Sequence, residues 1–201
     1  MIELTVVTDT INDYLLVEKA GRDQVAFLLL YERHREALFG FLYRLSGSVG
    51  AAEELTHDCF LSVVRESKTI LTPKTASFRI QLYSTARTLF MEYSRNSLRE
   101  AVVADIPDHS TASTSGQSGA DRAETLDTDV RTAVGNLPYP EREVLILSEY
   151  EGLDLSEISI IVGIDHKIVL ARLERARQRL RDTLMSGSVS RNSLEEIPRK
   201  G

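Results

Sequence analysis

Apolar residues recur along this chain at steps of three and four, the period of a helix, and strand-like alternation is confined to Leu4–Val7. The clearest run is Phe27, Leu30, Tyr31, Leu38, Phe39, Leu42 and Leu45, which predicts a helix from Asp23 to about Leu45. Gly47 and Gly50 end that run, and Ala52, Leu55, Cys59 and Val63 mark the buried stripe of a second helix over Ala51–Ser67. "TILTPKTAS" reads as a loop, because Pro73 and the β-branched threonines disfavour helix. The pattern resumes at Phe78 through Ile80, Leu82, Tyr83, Ala86, Leu89, Phe90 and Tyr93, and is expected to last to about Arg99.

A change of composition then divides the chain. "STASTSGQSG", Ser110–Gly119, holds almost no apolar surface to offset the entropy of ordering it. Residues 98–125 are therefore expected to form a flexible tether between two helical domains, 12–97 and 126–186. A tether of that length spans about 30 Å on average and about 100 Å when extended.

In the second domain, Pro140 stands at a predicted helix start with Glu141 and Glu143 in the first turn, where the helix dipole favours acid. "DLSE", Asp154–Glu157, has capping-box spacing and opens a short helix that Gly163 closes. Asp165 is placed to cap the next helix, and Ile158, Val162, Ile164 and Val169 are spaced to pack between the two. Short helix, glycine turn and longer helix form the pattern of a helix-turn-helix. Residues 187–201 read as a disordered tail.

The expected fold is all-α: two small helical domains joined by a flexible linker, the C-terminal one a helix-turn-helix. Charge sharpens this picture. The 201-residue chain carries a net charge of -6, yet Lys167, Arg172, Arg175, Arg177, Arg179 and Arg181 crowd into its last long helix. An acidic total argues against indiscriminate coating of nucleic acid, whereas a local stripe after a helix-turn-helix points to DNA recognition. A solvated helix face is the plainer reading of such a stripe. Arg79, Arg87, Arg95 and Arg99 share a helix with Tyr83, Phe90 and Tyr93, groups that can hold phosphate and stack on unpaired bases, although the aromatics stand at core spacing. On the Ala51–Ser67 helix, Glu54 and Asp58 form an acidic ridge flanked by Glu53 and His57, either a solvated face or a docking surface for a basic partner helix.

Candidate catalytic chemistry does not emerge. The four histidines and single Cys59 lack zinc-site spacing, and "GSVG" lacks the lysine of a phosphate loop. No serine sits in a nucleophile elbow. The expectation is a protein with no enzymatic activity, no metal and no cofactor. An N-terminus without a signal pattern, a single cysteine and no long apolar run predict a cytoplasmic location and no membrane insertion.

Three segments resemble one family. "AAEELTHDCFLSVVRES" resembles the polymerase-docking helix of bacterial sigma factors of the extracytoplasmic-function (ECF) group. "SFRIQLYSTARTLFMEYSRN" is similar to their promoter-melting helix, and "LPYPEREVLILSEYEGLDLSEISIIVGIDHKIVLARLERARQRLRDTL" resembles their C-terminal helix-turn-helix. The resemblance spans about Asp13–Asn96 and Leu126–Leu184 in family order. It implies a two-domain initiation subunit whose partners are core RNA polymerase, promoter DNA and a cognate anti-sigma protein.

By that resemblance, Glu53, Glu54, Leu55, His57 and Asp58 correspond to the polymerase contact. Lys74, Arg79, Tyr83, Arg87, Thr88 and Arg95 correspond to the −10 contact, and His166, Lys167, Leu170, Ala171, Arg172, Glu174 and Arg175 to the −35 contact. Thr88 stands where the family often has Asn, and Leu170 and Ala171 where a basic residue and a Ser or Thr are usual, which points to a promoter sequence of its own. Two other readings fit parts of the chain: a sigma mimic that binds an anti-sigma protein without reading DNA, and a stand-alone helix-turn-helix regulator.

Overall fold

The computed structural model describes residues 13–70, 77–104 and 122–195, and every regular element among them is a helix. The first module comprises α1 (Asp13–Ala20), α2 (Gln24–Ser46), α3 (Val49–Ile70) and α4 (Phe78–Ala104). The second comprises α5 (Arg122–Gly135), α6 (Tyr139–Glu149), α7 (Leu155–Val162) and α8 (His166–Glu195). Apolar spacing over Asp13–Ala20 is too short to announce α1, which owes its place to Leu16 and Val17 packing on Ala26 and Leu30 of α2.

Local signals account for several helix ends. The Asp23 carboxylate accepts from the Val25 and Ala26 amides and starts α2. Gly47, at φ 70°, ends it in the left-handed conformation that glycine adopts without penalty. Gly50 does not interrupt helix as the sequence suggested: Ser48 caps α3 through the Ala51 amide, and Gly50 lies in its first turn.

Two boundaries differ from expectation. Helix α4 continues to Ala104 and α5 begins at Arg122, so the segment between helices is shorter than 98–125. Helix α8 runs to Glu195, through most of the stretch read as a tail. Residues 98–104 are mostly Leu, Arg, Glu and Ala, which favour helix without needing a core, whereas residues 187–195 hold three serines, a glycine, a valine and an asparagine and carry no such preference. Leu4–Val7, Lys74, Ser110–Gly119 and residues 196–201 lie outside the described residues.

The modules touch extensively. One apolar cluster runs from Leu38, Phe41, Phe60 and Leu82 of the first module into Val144, Ile146, Leu147 and Ile158 of the second. Helix α4 lies along α7, and α2 packs against α6. Two helical domains joined by a linker were expected, and in this structure they meet around a shared core.

Candidate functional site

Three surfaces carry the expected chemistry, and the fold treats each differently. On α3, Glu53, Glu54, His57 and Asp58 are exposed, while Ala52, Leu55, Cys59 and Val63 are buried beneath them. Leu55 therefore belongs to the core and not to the contact surface, as a period of 3.6 residues requires of a residue four before Cys59. The Cys59 thiol donates to the Leu82 carbonyl at 3.4 Å, which fits a packing role.

Helix-turn-helix geometry follows the sequence closely. The Asp154 carboxylate accepts from the Glu157 amide at 2.9 Å, and Glu157 accepts in return from the Asp154 amide at 3.0 Å. Gly163 turns the chain at φ 73°, and the Ser159 hydroxyl donates to the Ile164 carbonyl at 2.6 Å, tying α7 to the turn. The Asp165 carboxylate accepts from the Lys167 amide at 2.8 Å. Val169, Leu173 and Ala176 then face the core, which leaves Lys167, Leu170, Glu174 and Arg175 exposed on the outer side of α8. His166 is exposed as well, its Nε2 3.3 Å from the Ser156 hydroxyl.

Ala171 and Arg172 are half-buried: Ala171, four residues after Lys167 and three before Glu174, lies within the outer line among larger neighbours, whereas Arg172, next to buried Leu173, sits at the edge of this surface. Gln178, which sequence reasoning passed over, continues the same outer line, where it donates to Asp182 and accepts from Arg181. Other arginines of the stripe are held within the module. Arg177 pairs with Glu149, and Arg179 Nε lies 2.9 Å from Glu141 Oε2. Only part of the stripe is free to meet phosphate.

The third surface, on α4, is split. Thr88 and Arg95 are exposed, and the Thr88 hydroxyl donates to the Ser84 carbonyl at 3.0 Å. Thr88 borders a shallow cleft whose lining includes Gln81, Ser84, Thr85, Leu89 and Glu92. Arg79, Tyr83 and Arg87 lie on another face, and that face is covered by the second module. The Tyr83 hydroxyl donates to the Glu151 carboxylate, and Arg79 donates to the Glu151 backbone carbonyl. Arg87 Nε lies 2.8 Å from Glu143 Oε1, and the Phe90 ring stacks on Tyr139 with centroids 5.7 Å apart. Tyr83 is 3% exposed, so in this arrangement it reaches no external ligand, contrary to what its place in the motif suggested.

Glu143 and Glu151 are the residues that sequence reasoning missed. Glu143 was expected to serve the helix dipole at the surface, yet it is 1% exposed. Burial pushes its carboxyl above the ordinary range, while Tyr139 and Arg87 pull it back. Burial raises Glu151 likewise, against Tyr83, Arg44 and Arg79. The Tyr83 phenol is driven up by burial and by the neighbouring Glu151 charge. Arg44 completes the cluster, 4.1 Å over the Tyr150 ring and 3.9 Å from the Glu151 carboxylate. A signal was present: Glu143 directly precedes the unbroken apolar run Val144–Leu147.

Among the described residues, no His, Cys, Asp or Glu side chains converge as metal ligands, and no helix is long and apolar enough to cross a membrane.

Comparison with known proteins agrees with the two-module layout. The sigma-70 region 2 family matches residues 30–100, and the sigma-70 region 4 family matches 127–180. The ECF RNA polymerase sigma factor SigK of Mycobacterium sp. (strain JLS) is 31% identical over 181 residues, 85% of each chain. SigE of Mycolicibacterium smegmatis is 28% identical over 161 residues, 79% of this chain but 62% of that longer protein. The fold is shared with Bartonella quintana RpoE, solved with the anti-sigma factor NepR (TM-score 0.64, 24% identity, 77% of this chain and 94% of that one). It is shared also with CnrH, solved with the cytosolic domain of CnrY (TM-score 0.64, 22% identity, 87% and 97%). Two family matches in order, a relative similar along most of its length, and a helix-turn-helix with its outer face open converge: the chain belongs to the ECF group of RNA polymerase sigma factors.

Proposed function

We propose that this chain docks on core RNA polymerase through the acidic ridge of α3, reads the −35 element with α8 and engages the −10 element with α4. The carrying observation is the simultaneous exposure of Glu53, Glu54, His57 and Asp58 on one module and of Lys167, Leu170, Glu174 and Arg175 on the other. A stand-alone helix-turn-helix regulator has no use for the first surface, and a sigma mimic that reads no DNA has none for the second. The exposed Thr88 and Arg95, with the cleft that Thr88 lines, supply the part of the −10 surface open in the packed state. The cytoplasm is the compartment where polymerase and promoter are available. Since RpoE of Bartonella quintana is bound by an anti-sigma factor, a partner of that kind belongs to the proposal.

Run-off transcription with purified core polymerase and a promoter library tests the reading. The wild-type chain yields promoter-specific transcripts, and Glu54→Lys with Asp58→Lys abolishes both transcription and co-purification with core while circular dichroism stays unchanged. Wild-type polymerase binding by that double variant removes the ridge from the proposal. Failure of the unmodified chain to direct any transcript removes the function.

A further inference from the structure

We infer that α1 is a brace for the reading helix: through Asp13 and His34 it fixes the first turn of α4, so that two positioning residues outside every contact surface named above set how α4 meets the −10 element. The inference rests on reading α4 as the −10 contact.

At eight residues, α1 is too short to hold its helix by hydrogen bonds alone. Leu16 and Val17 pack on Ala26 and Leu30 of α2 in a small apolar cluster set apart from the main core. Phe78, the first residue of α4, packs against both clusters, and among the described residues it alone does so. Ser77 caps the same turn, its hydroxyl accepting from the Ile80 amide at 3.4 Å.

Polar contacts then orient what the apolar ones gather. Asp13 opens α1, and its carboxylate accepts from the Arg33 guanidinium of α2. The second oxygen, Oδ2, lies 2.8 Å from His34 Nε2. An ionised carboxylate can only accept, so Nε2 carries the hydrogen and this bond sets the plane of the imidazole. The same ring meets Phe78 edge-on, with centroids 5.0 Å apart and planes at 61°, the arrangement that aromatic quadrupoles favour. The His34 side chain is 13% exposed and stands one turn beyond buried Leu30. A continuous line of contact thus runs from the start of α1, through His34, to the start of α4.

Stability alone does not call for this pair. An apolar side chain in place of His34 would pack on Phe78 without desolvating an imidazole and a carboxylate. A satisfied hydrogen bond adds direction, which apolar packing lacks. The reading surface has a use for direction. Thr88 and Arg95 are exposed on the helix that Phe78 begins, and Thr88 lies about 15 Å along it. Groups on a rigid element are placed only as well as that element is seated. Leu82, Ala86 and Phe90 seat the middle of α4 in the main core, and Asp13 with His34 seats its beginning.

The test uses the full chain assembled with core polymerase, well below the melting temperature of every variant. His34→Phe keeps a ring against Phe78 and removes the bond to Asp13; Asp13→Asn keeps the shape and removes the charge. Each is read by a promoter-library selection and by affinity for a single-stranded oligodeoxynucleotide carrying the −10 sequence that the wild-type selection returns. Both variants are expected to flatten the −10 logo and to weaken oligonucleotide binding about two- to tenfold, the scale of ordering a side chain anew on binding. The −35 logo and co-purification with core are expected to stay as in the wild type.

A merely structural role lowers the melting temperature and leaves the −10 logo unchanged, and that result overturns the inference. Equal flattening of the −10 and −35 logos overturns it too, since the effect is then not local to α4. Thr88→Val with Arg95→Ala separates the two readings. If that pair weakens oligonucleotide binding while His34→Phe does not, the brace alone is wrong; if neither does, α4 is not the −10 contact and both readings fall. Should Asp13→Asn lose its helicity, His34→Phe decides by the same outcomes.

Discussion

Replacing Gly163 with alanine isolates one physical cost at the turn that presents the recognition helix. The residue sits at φ 73° and ψ 34°, and a Cβ built there meets nothing within 4 Å. No neighbour has to move, so the penalty is the backbone one alone, about 1–2 kcal/mol for an L-residue in the left-handed region. Against it stands the lower entropy of alanine in the unfolded chain, about 0.4–1 kcal/mol. The net expectation is a loss of about 1 kcal/mol, or a melting temperature lower by about 3 °C for a chain of this size.

Asparagine, which enters the left-handed region more readily, should cost less than alanine; valine, branched at Cβ, should cost more. The turn is tied independently by the Ser159 hydroxyl on the Ile164 carbonyl and by the Ile164 amide on the Ser159 carbonyl at 3.3 Å. The variants therefore keep the approach angle of α8, and promoter affinity well below the melting temperature should stay within about a factor of two, because net stabilities of about 5–15 kcal/mol absorb the loss. Thermal denaturation by circular dichroism and fluorescence anisotropy with a −35 duplex are the measurements. An alanine cost above about 3 kcal/mol, or valine tolerated better than asparagine, would mean that the turn is not governed by the φ of this one residue.

Further predictions concern the recognition helix and the acid stability of the first module. Glu174→Ala should relax selectivity at one G·C pair of the −35 element by about 1–3 kcal/mol, read as a changed logo in a holoenzyme promoter selection. Lys167→Ala should weaken all promoters alike and lower the slope of log K against log salt by about one. Arg177→Ala, by contrast, should leave DNA affinity nearly unaltered, because that arginine already pairs with Glu149; a loss as large as that of Lys167→Ala would contradict the assignment. Burial pushes the Asp13 carboxyl up, but the hydrogen bond and charge of His34, with those of Arg33, outweigh it and hold Asp13 below its ordinary value. Stability from this group is thus present above the unfolded-state value of about 3.9 and lost as pH falls through the lower folded-state value. The gap in melting temperature between wild type and Asp13→Asn should therefore close below about pH 4, and a gap constant down to about pH 2 would rule the linkage out.

The helices themselves, their caps and the outer face of α8 are legible in the sequence, because each depends on residues within one or two turns. Asp154 with Glu157, Gly163 and Asp165 specify the helix-turn-helix through local hydrogen bonds and one backbone conformation. The 3.6-residue period then dictates that Val169, Leu173 and Ala176 go inward and Lys167 and Glu174 outward. The ridge on α3 follows by the same rule, and that rule also places Leu55 beneath it. Short α1 carried no readable period, and its helix depends on packing against α2.

What tertiary structure alone decided is which polar groups find each other across long separations. Arg87 and Glu143, or Tyr83 and Glu151, are far apart in the chain, and nothing local distinguishes them from solvated surface residues. Their burial follows from the second module's apolar run, Val144–Leu147, meeting the core of the first. A charge stripe likewise says nothing about its pairing: Arg177 and Arg179 are held by α6, while Lys167 and Arg175 are exposed at the surface. Periodicity assigns each side chain to a face of its own helix, and only the packing of helices determines whether that face meets water, DNA or a carboxylate of the same chain.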